Sequence, residues 1–133
     1  MPRVYRARSG RLHFVLKSMK TQVRFLWWSV TALIAGVIFF LSSRPNPSLG
    51  SAPLDQFASI VAHLALYSSL AFAFQRASGG REFKGAVLAV LLVGLYGASD
   101  EIHQAFVPGR DASFVDFAID LVGAITGTAA AVR

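Results

Sequence analysis

Gly85-Ala-Val-Leu-Ala-Val-Leu-Leu-Val-Gly-Leu-Tyr-Gly-Ala-Ser-Asp-Glu-Ile-His-Gln-Ala105 is the stretch that decides the architecture. As far as Ala98 it carries no charge and does not alternate polar with apolar residues, so it reads as a helix rather than a strand. Its length is close to the roughly 20 residues that carry a helix across a bilayer core. Asp100, Glu101, His103 and Gln104 then arrive together at its end. An Asp at the centre of a membrane helix costs about 2.5–3.5 kcal/mol on insertion scales. Such residues must be paired, hydrated or functional.

Three more runs of the same kind flank this one: Phe25–Ser43, Phe57–Phe74 and Phe114–Val132. A chain of 133 residues that is 54% hydrophobic in four such blocks reads as all-α, a single four-helix transmembrane bundle. No cysteine is present, which excludes disulfides, thiolate chemistry and cysteine-ligated metals. The net charge of +6 looks at first like a nucleic-acid signal, but its distribution says otherwise. Arg3, Arg6, Arg8, Arg11, Lys17, Lys20 and Arg24 precede the first span; Arg76, Arg81 and Lys84 follow the second, and Arg133 ends the chain. The other two connections hold only Arg44 and Arg110. The positive-inside rule then puts both termini in the cytoplasm, with no role for nucleic acid.

Residues 1–24 read as a basic cytoplasmic segment and 25–133 as the membrane domain. Within the former, 1–18 read as a disordered arm or a misassigned start, because Met19-Lys-Thr-Gln-Val-Arg24 resembles a natural beginning. The first span is longer than the apolar region of a signal peptide, which favours an uncleaved helix over cleavage near Gly50-Ser-Ala52. Trp27 and Trp28 suit an interfacial belt or plain lipid contact.

With this topology, the polar residues of three spans converge on one membrane level near the outer face. They are Asp55, Ser59 and His63 in span two, Asp100 to Gln104 in span three, and Asp116 and Asp120 in span four. Ser59, His63 and Tyr67 are spaced i, i+4, i+8 and share a face. Glu101 and Gln104 continue a small-residue face through Gly94 and Gly97, with Asp100 and His103 turned about 100° away. Asp120 continues into Gly123 and Gly127, a spacing that lets helices approach closely. Ser113-x-x-Asp116 reads as a capping box opening span four. Asp120 lies too deep for such a role and needs a partner or water.

These residues resemble the VanZ-like family of small bacterial membrane proteins. The family pattern Asp-Glu-x-x-Gln-x-Phe-x-Pro-x-Arg is matched by Asp100, Glu101, Gln104, Phe106, Pro108 and Arg110, followed by Ser113, Asp116, Asp120, Gly123 and Gly127. An upstream His-x-x-x-Tyr is matched by His63 and Tyr67, and the likeness runs from about Ser42 to the C-terminus. Two positions depart from it. Ser59-Ile60 replaces a usual Asp-Lys, with Asp55 one turn earlier, and Asp120 stands where Asn is common. The resemblance implies a multi-pass cell-envelope protein, linked in some members to tolerance of glycopeptide antibiotics such as teicoplanin. It implies no reaction.

The candidate ligand-binding residues are therefore His63, Tyr67, Asp100, Glu101, Gln104, Arg110, Asp116 and Asp120, with Gly94, Gly97, Gly123 and Gly127 as packing positions. The favoured expectation is an outward-facing polar pocket for an amphiphilic or lipid-linked ligand, with Arg110 meeting an anion. Arg110 could equally close the loop through Asp116 or Asp111. A membrane enzyme with Glu101 or His63 in acid–base roles is the second expectation, and a proton-coupled carrier or a structural scaffold the third. His63 with Glu101 and Asp116 could ligate a metal, but no spacing demands one, so none is assigned; no cofactor is indicated. Membrane lipids are the expected partners, and self-association is left open.

Overall fold

The computed structural model describes residues 3–45, 53–80 and 82–133, with side chains from residue 15 onward except those of 53–55. Four helices account for nearly all of it: α1 (Arg3–Ser42), α2 (Pro53–Ser78), α3 (Phe83–Gln104) and α4 (Phe114–Val132). Each contains a window long and apolar enough to cross a membrane. Their boundaries follow from local chemistry. Pro53 opens α2 at a position where its missing N–H costs nothing. Gly79, at φ 72°, turns the chain out of α2, and its N–H reaches back to the Gln75 carbonyl. Ser113 caps α4, its hydroxyl accepting the Asp116 N–H at 3.1 Å.

The first and third helices reach beyond their apolar runs. The backbone is helical from Arg3. No proline lies between Pro2 and Pro45, and the basic segment is rich in Arg, Lys and Leu, which are good helix formers. Helix α3 runs to Gln104, in line with the span read to Ala105, and its last turn is held by the buried Gln104 amide donating to the buried Asp100 and Glu101.

Helices α2 and α4 form the most intimate pair, α1 leans on α2, and α3 lies along α4 and α2. Small residues set the α2–α4 distance. A Cβ on Gly123 would stand 3.1 Å from the Leu64 carbonyl oxygen, and one on Gly127 would collide with the Ser68 carbonyl. Around this seam lies a core of Ile38, Tyr67, Leu70, Ala71, Val93 and Ala124. Side chains on the outer faces, such as Leu33 and Leu95, are about two-thirds exposed (67% and 66%), as lipid-facing residues are.

Helix α1 is fastened to its neighbours from its midpoint onward. Arg24 donates to the Ala77 and Ser78 carbonyls at 3.1 and 3.2 Å, satisfying the end of α2. The Tyr96 hydroxyl donates to the Ala35 carbonyl at 2.7 Å. Trp27 and Trp28 meet Phe72 and Phe74 edge-on, so they pack against α2 in addition to any interfacial contact. The antiparallel arrangement leaves Arg24, Arg76 and Arg133 toward one end, and the His63, Glu101, Asp120 and Arg110 cluster toward the other.

If close backbone approach at the α2–α4 seam holds the fold, Gly127→Ala destabilises the protein by about 1–3 kcal/mol or more through overpacking. Gly36→Ala, where a Cβ meets nothing within 4 Å, leaves stability unchanged or slightly raised. Thermal unfolding of both variants in detergent, followed by circular dichroism, checks the contrast.

Candidate functional site

The site starts from the deepest carboxylate. Asp120 is fully buried, one turn above Gly123 on the face of α4 that meets α2. Its Oδ1 lies 2.8 Å from Nδ1 of His63, which is presented by α2. This is the sole ion pair among the described residues. The other oxygen, Oδ2, has no protein partner, and neither does the hydroxyl of Tyr67. Both border Gly97: a Cβ there would stand 3.2 Å from Tyr67 Cε1 and 3.4 Å from Asp120 Oδ2. Tyr67 stacks near His63, with rings 7° from parallel and centroids 6.3 Å apart.

Helix α3 adds a second layer. The Gln104 amide donates to Asp100 Oδ2 at 3.0 Å and, at a longer 3.4 Å, to Glu101 Oε1. Glu101 Oε2 accepts the Ser113 backbone N–H at 2.6 Å. That bond revises the capping-box expectation. Ser113 caps Asp116 as expected, but the reciprocal acid comes from α3, not from Asp116. Glu101 thereby fixes the start of α4 against the end of α3 while remaining beside His63 and Asp120. One donor atom from each of His63, Glu101 and Asp120 lies within 4.8 Å of the others.

Arg110 closes this end of the bundle. The loop before it is wound by successive turns, with Gly109 at φ 76°. Its guanidinium donates to Gln104 Oε1 at 3.2 Å and to the Arg44 and Leu41 carbonyls, each at 2.9 Å. It bonds no carboxylate among the described residues; instead it caps the end of α1. Neither Asp111 nor Asp116 pairs with it. His103 is half-buried, stacked on Phe39 at 4.9 Å and hydrogen-bonded to Ser43. Asp55 falls outside the residues whose side chains are described.

Between these groups lies a cleft of about 160 Å³. His63, Tyr67, Asp100, Gln104 and Arg110 give it a polar wall, Ile38, Leu41 and Leu66 an apolar one, and Ser59 and Ala62 stand exposed at its edge. Ser42, Ser43 and the carbonyls of Leu41 and Arg44 also join the site. Backbone acceptors leave no mark in a sequence; the Ser42-Ser43 pair was the one available hint. A larger cleft of about 700 Å³ lies at the opposite end, between α1 and the end of α2. Among the described residues its walls hold Lys20, Arg24 and Arg76 and no carboxylate or histidine.

The VanZ/LLP1 family model matches residues 11–132, nearly the whole chain. The chain belongs to the VanZ-like family. The His63, Asp100-Glu101, Gln104, Arg110 and Asp120 positions that carried the resemblance thus meet at one end of a VanZ-like bundle of four apolar helices. No curated protein and no solved structure matches the chain.

Removing one member of a buried pair leaves the other uncompensated, at a cost of about 3–5 kcal/mol. His63→Ala should therefore lower stability by that order. Asp120→Asn in the same chain should recover part of the loss, since the two residues act as a unit. A double-mutant cycle of unfolding midpoints in detergent measures the coupling; additive effects would show the pair to be energetically idle.

Proposed function

We propose that this VanZ-like protein presents its polar cleft at the extracytoplasmic face of the cell membrane and binds the head group of an amphiphilic or lipid-linked ligand there. The carrying observation is the cleft itself. It sets His63, Tyr67, Asp100, Gln104 and Arg110 against Ile38, Leu41 and Leu66 at membrane depth. A ligand with a polar head and an apolar tail matches both walls. Three N–H groups of Arg110 are engaged, and the remainder are available to an acceptor on the ligand. Orientation rests on charge: Arg24, Arg76, Lys84 and Arg133 belong to the end carrying the termini, and only Arg44 and Arg110 to the cleft end. Through the family, such binding connects to tolerance of glycopeptide antibiotics.

A second reading draws on the His63–Asp120 pair. A carboxylate 2.8 Å from an imidazole nitrogen orients the ring as a general base, as hydrolytic sites require. Turnover of an envelope lipid that is lost in a His63 variant would move the protein among the enzymes. The carrier reading has less support, because Leu70, Ala71, Val93 and Ala124 fill the space between the two ends with apolar side chains.

Ser59 and Ala62 are exposed at the cleft edge, so Ser59→Leu and Ala62→Leu should fill it at little cost in stability. Native mass spectrometry of the protein extracted with its own lipids is expected to show one retained species in wild type and its loss in both variants; equal retention in all three sinks the reading. Topology is checked separately. A fluorescent-protein fusion after Arg133 should fluoresce and an alkaline phosphatase fusion after Asp111 should be active.

A further inference from the structure

We propose that His63, Glu101 and Asp120 form a binding site for one divalent transition-metal ion, held between α2, α3 and α4. The inference goes beyond the ligand cleft and does not depend on it. The first support is the donor set. One imidazole nitrogen and two carboxylate oxygens, one from each of three helices, lie within 4.8 Å of one another. Ligands bind such ions at about 2.1 Å and so stand roughly 3–4 Å apart around one ion, a separation reached by small side-chain adjustments. A mixed imidazole and carboxylate set suits Zn²⁺, Mn²⁺ or Fe²⁺ better than the all-oxygen ions Ca²⁺ and Mg²⁺.

The second support is independent of that set and concerns charge. Asp100, Glu101 and Asp120 are each at most 6% exposed. The nearest permanent cation, Arg110, is engaged with carbonyl oxygens and Gln104 instead of with any of them. His63 answers one oxygen of one carboxylate. Buried carboxylates in a membrane bundle call for compensating positive charge, and the described residues supply too little.

The third is the orphaned Asp120 Oδ2, on a side chain with 0% exposure, and beside it the unpartnered Tyr67 hydroxyl. The glycine at 97 keeps a side chain from crowding both. A buried polar oxygen without a partner is rare and marks a place where an ion or a water belongs. The surrounding hydrogen bonds would also hold the ligands in place: Ser113 N–H on Glu101 and Gln104 across Asp100 and Glu101.

The test uses the full chain in detergent, stripped with chelator, incubated with Zn²⁺ or Mn²⁺ and desalted. Bound ion is counted by inductively coupled plasma mass spectrometry and stability read by thermal unfolding. Wild type should retain about one ion per chain and melt higher with it. Glu101→Gln, which keeps the side chain's shape, and His63→Gln should each weaken retention about tenfold or more and lose the melting shift. His103→Ala, outside the cluster, should behave as wild type. No retention by wild type, or retention undiminished in both Glu101→Gln and His63→Gln, overturns the proposal. Ser59→Leu separates this inference from the ligand reading. Ion kept while lipid is lost supports a site of the protein's own, whereas ion and lipid lost together show that the ion arrived with the lipid and overturn it.

Discussion

Asp120 is the constraint around which the bundle is arranged. A carboxylate with no exposure, near the middle of an apolar helix, has to be answered from neighbouring helices, and His63 can do so only if α2 lies very close to α4. Gly123 and Gly127 permit that approach, setting the α4 backbone against the carbonyls of Leu64 and Ser68. Packing and electrostatics are therefore one problem here. A larger residue at either glycine would separate the helices and strand the acid at the same time.

The same economy runs through α3. Glu101 supplies the acid that completes the cap of α4, so the residue that shapes the site also sets where the next helix begins. Gln104 links Asp100, Glu101 and Arg110, and Arg110 in turn ends α1 by donating to the carbonyls of Leu41 and Arg44 and to none of the local acids. The end of α1, the end of α3 and the start of α4 thus share one hydrogen-bonded unit with the polar cluster. A loop of that kind is held in a single conformation by the groups that would meet a ligand, which is the pre-organisation a binding site needs.

Much of this was legible in the sequence, and the part that was not has a physical reason. Four continuous apolar runs announced four helices, because a lipid environment leaves the backbone few other ways to satisfy itself. The range Phe114–Val132 was readable to the residue, since Ser113 and Asp116 mark the cap locally. Helical phase placed His63 and Tyr67 on one face. It misled at Asp100, which a helical wheel turns away from Glu101 yet which is buried through its i+4 partner Gln104. The loop-closing partner of Arg110 was invisible for a different reason: it consists of main-chain oxygens that any residue would offer. The choice of Asp120 rather than Asp116 beside His63 and Glu101 also required three dimensions, because Asp116 stands in the first turn of α4 and Asp120 a turn deeper.

The use of Arg110 also bears on what kind of chemistry the cleft favours. Had the guanidinium paired with Asp100 or Glu101, the cluster would be close to neutral and would serve best as a structural knot. Because its bonds go to neutral oxygens, the positive charge stays at the rim while the acids stay beneath it, with His63 between. A bound group that is anionic where it meets the rim and cationic where it meets the acids satisfies both. A phosphate head accompanied by a metal ion, or a zwitterionic head group with its amine turned inward, has that polarity. A simple hydrocarbon or a bare anion does not, so for the ligand proposed above charge separation is a stricter requirement than the shape of the cleft.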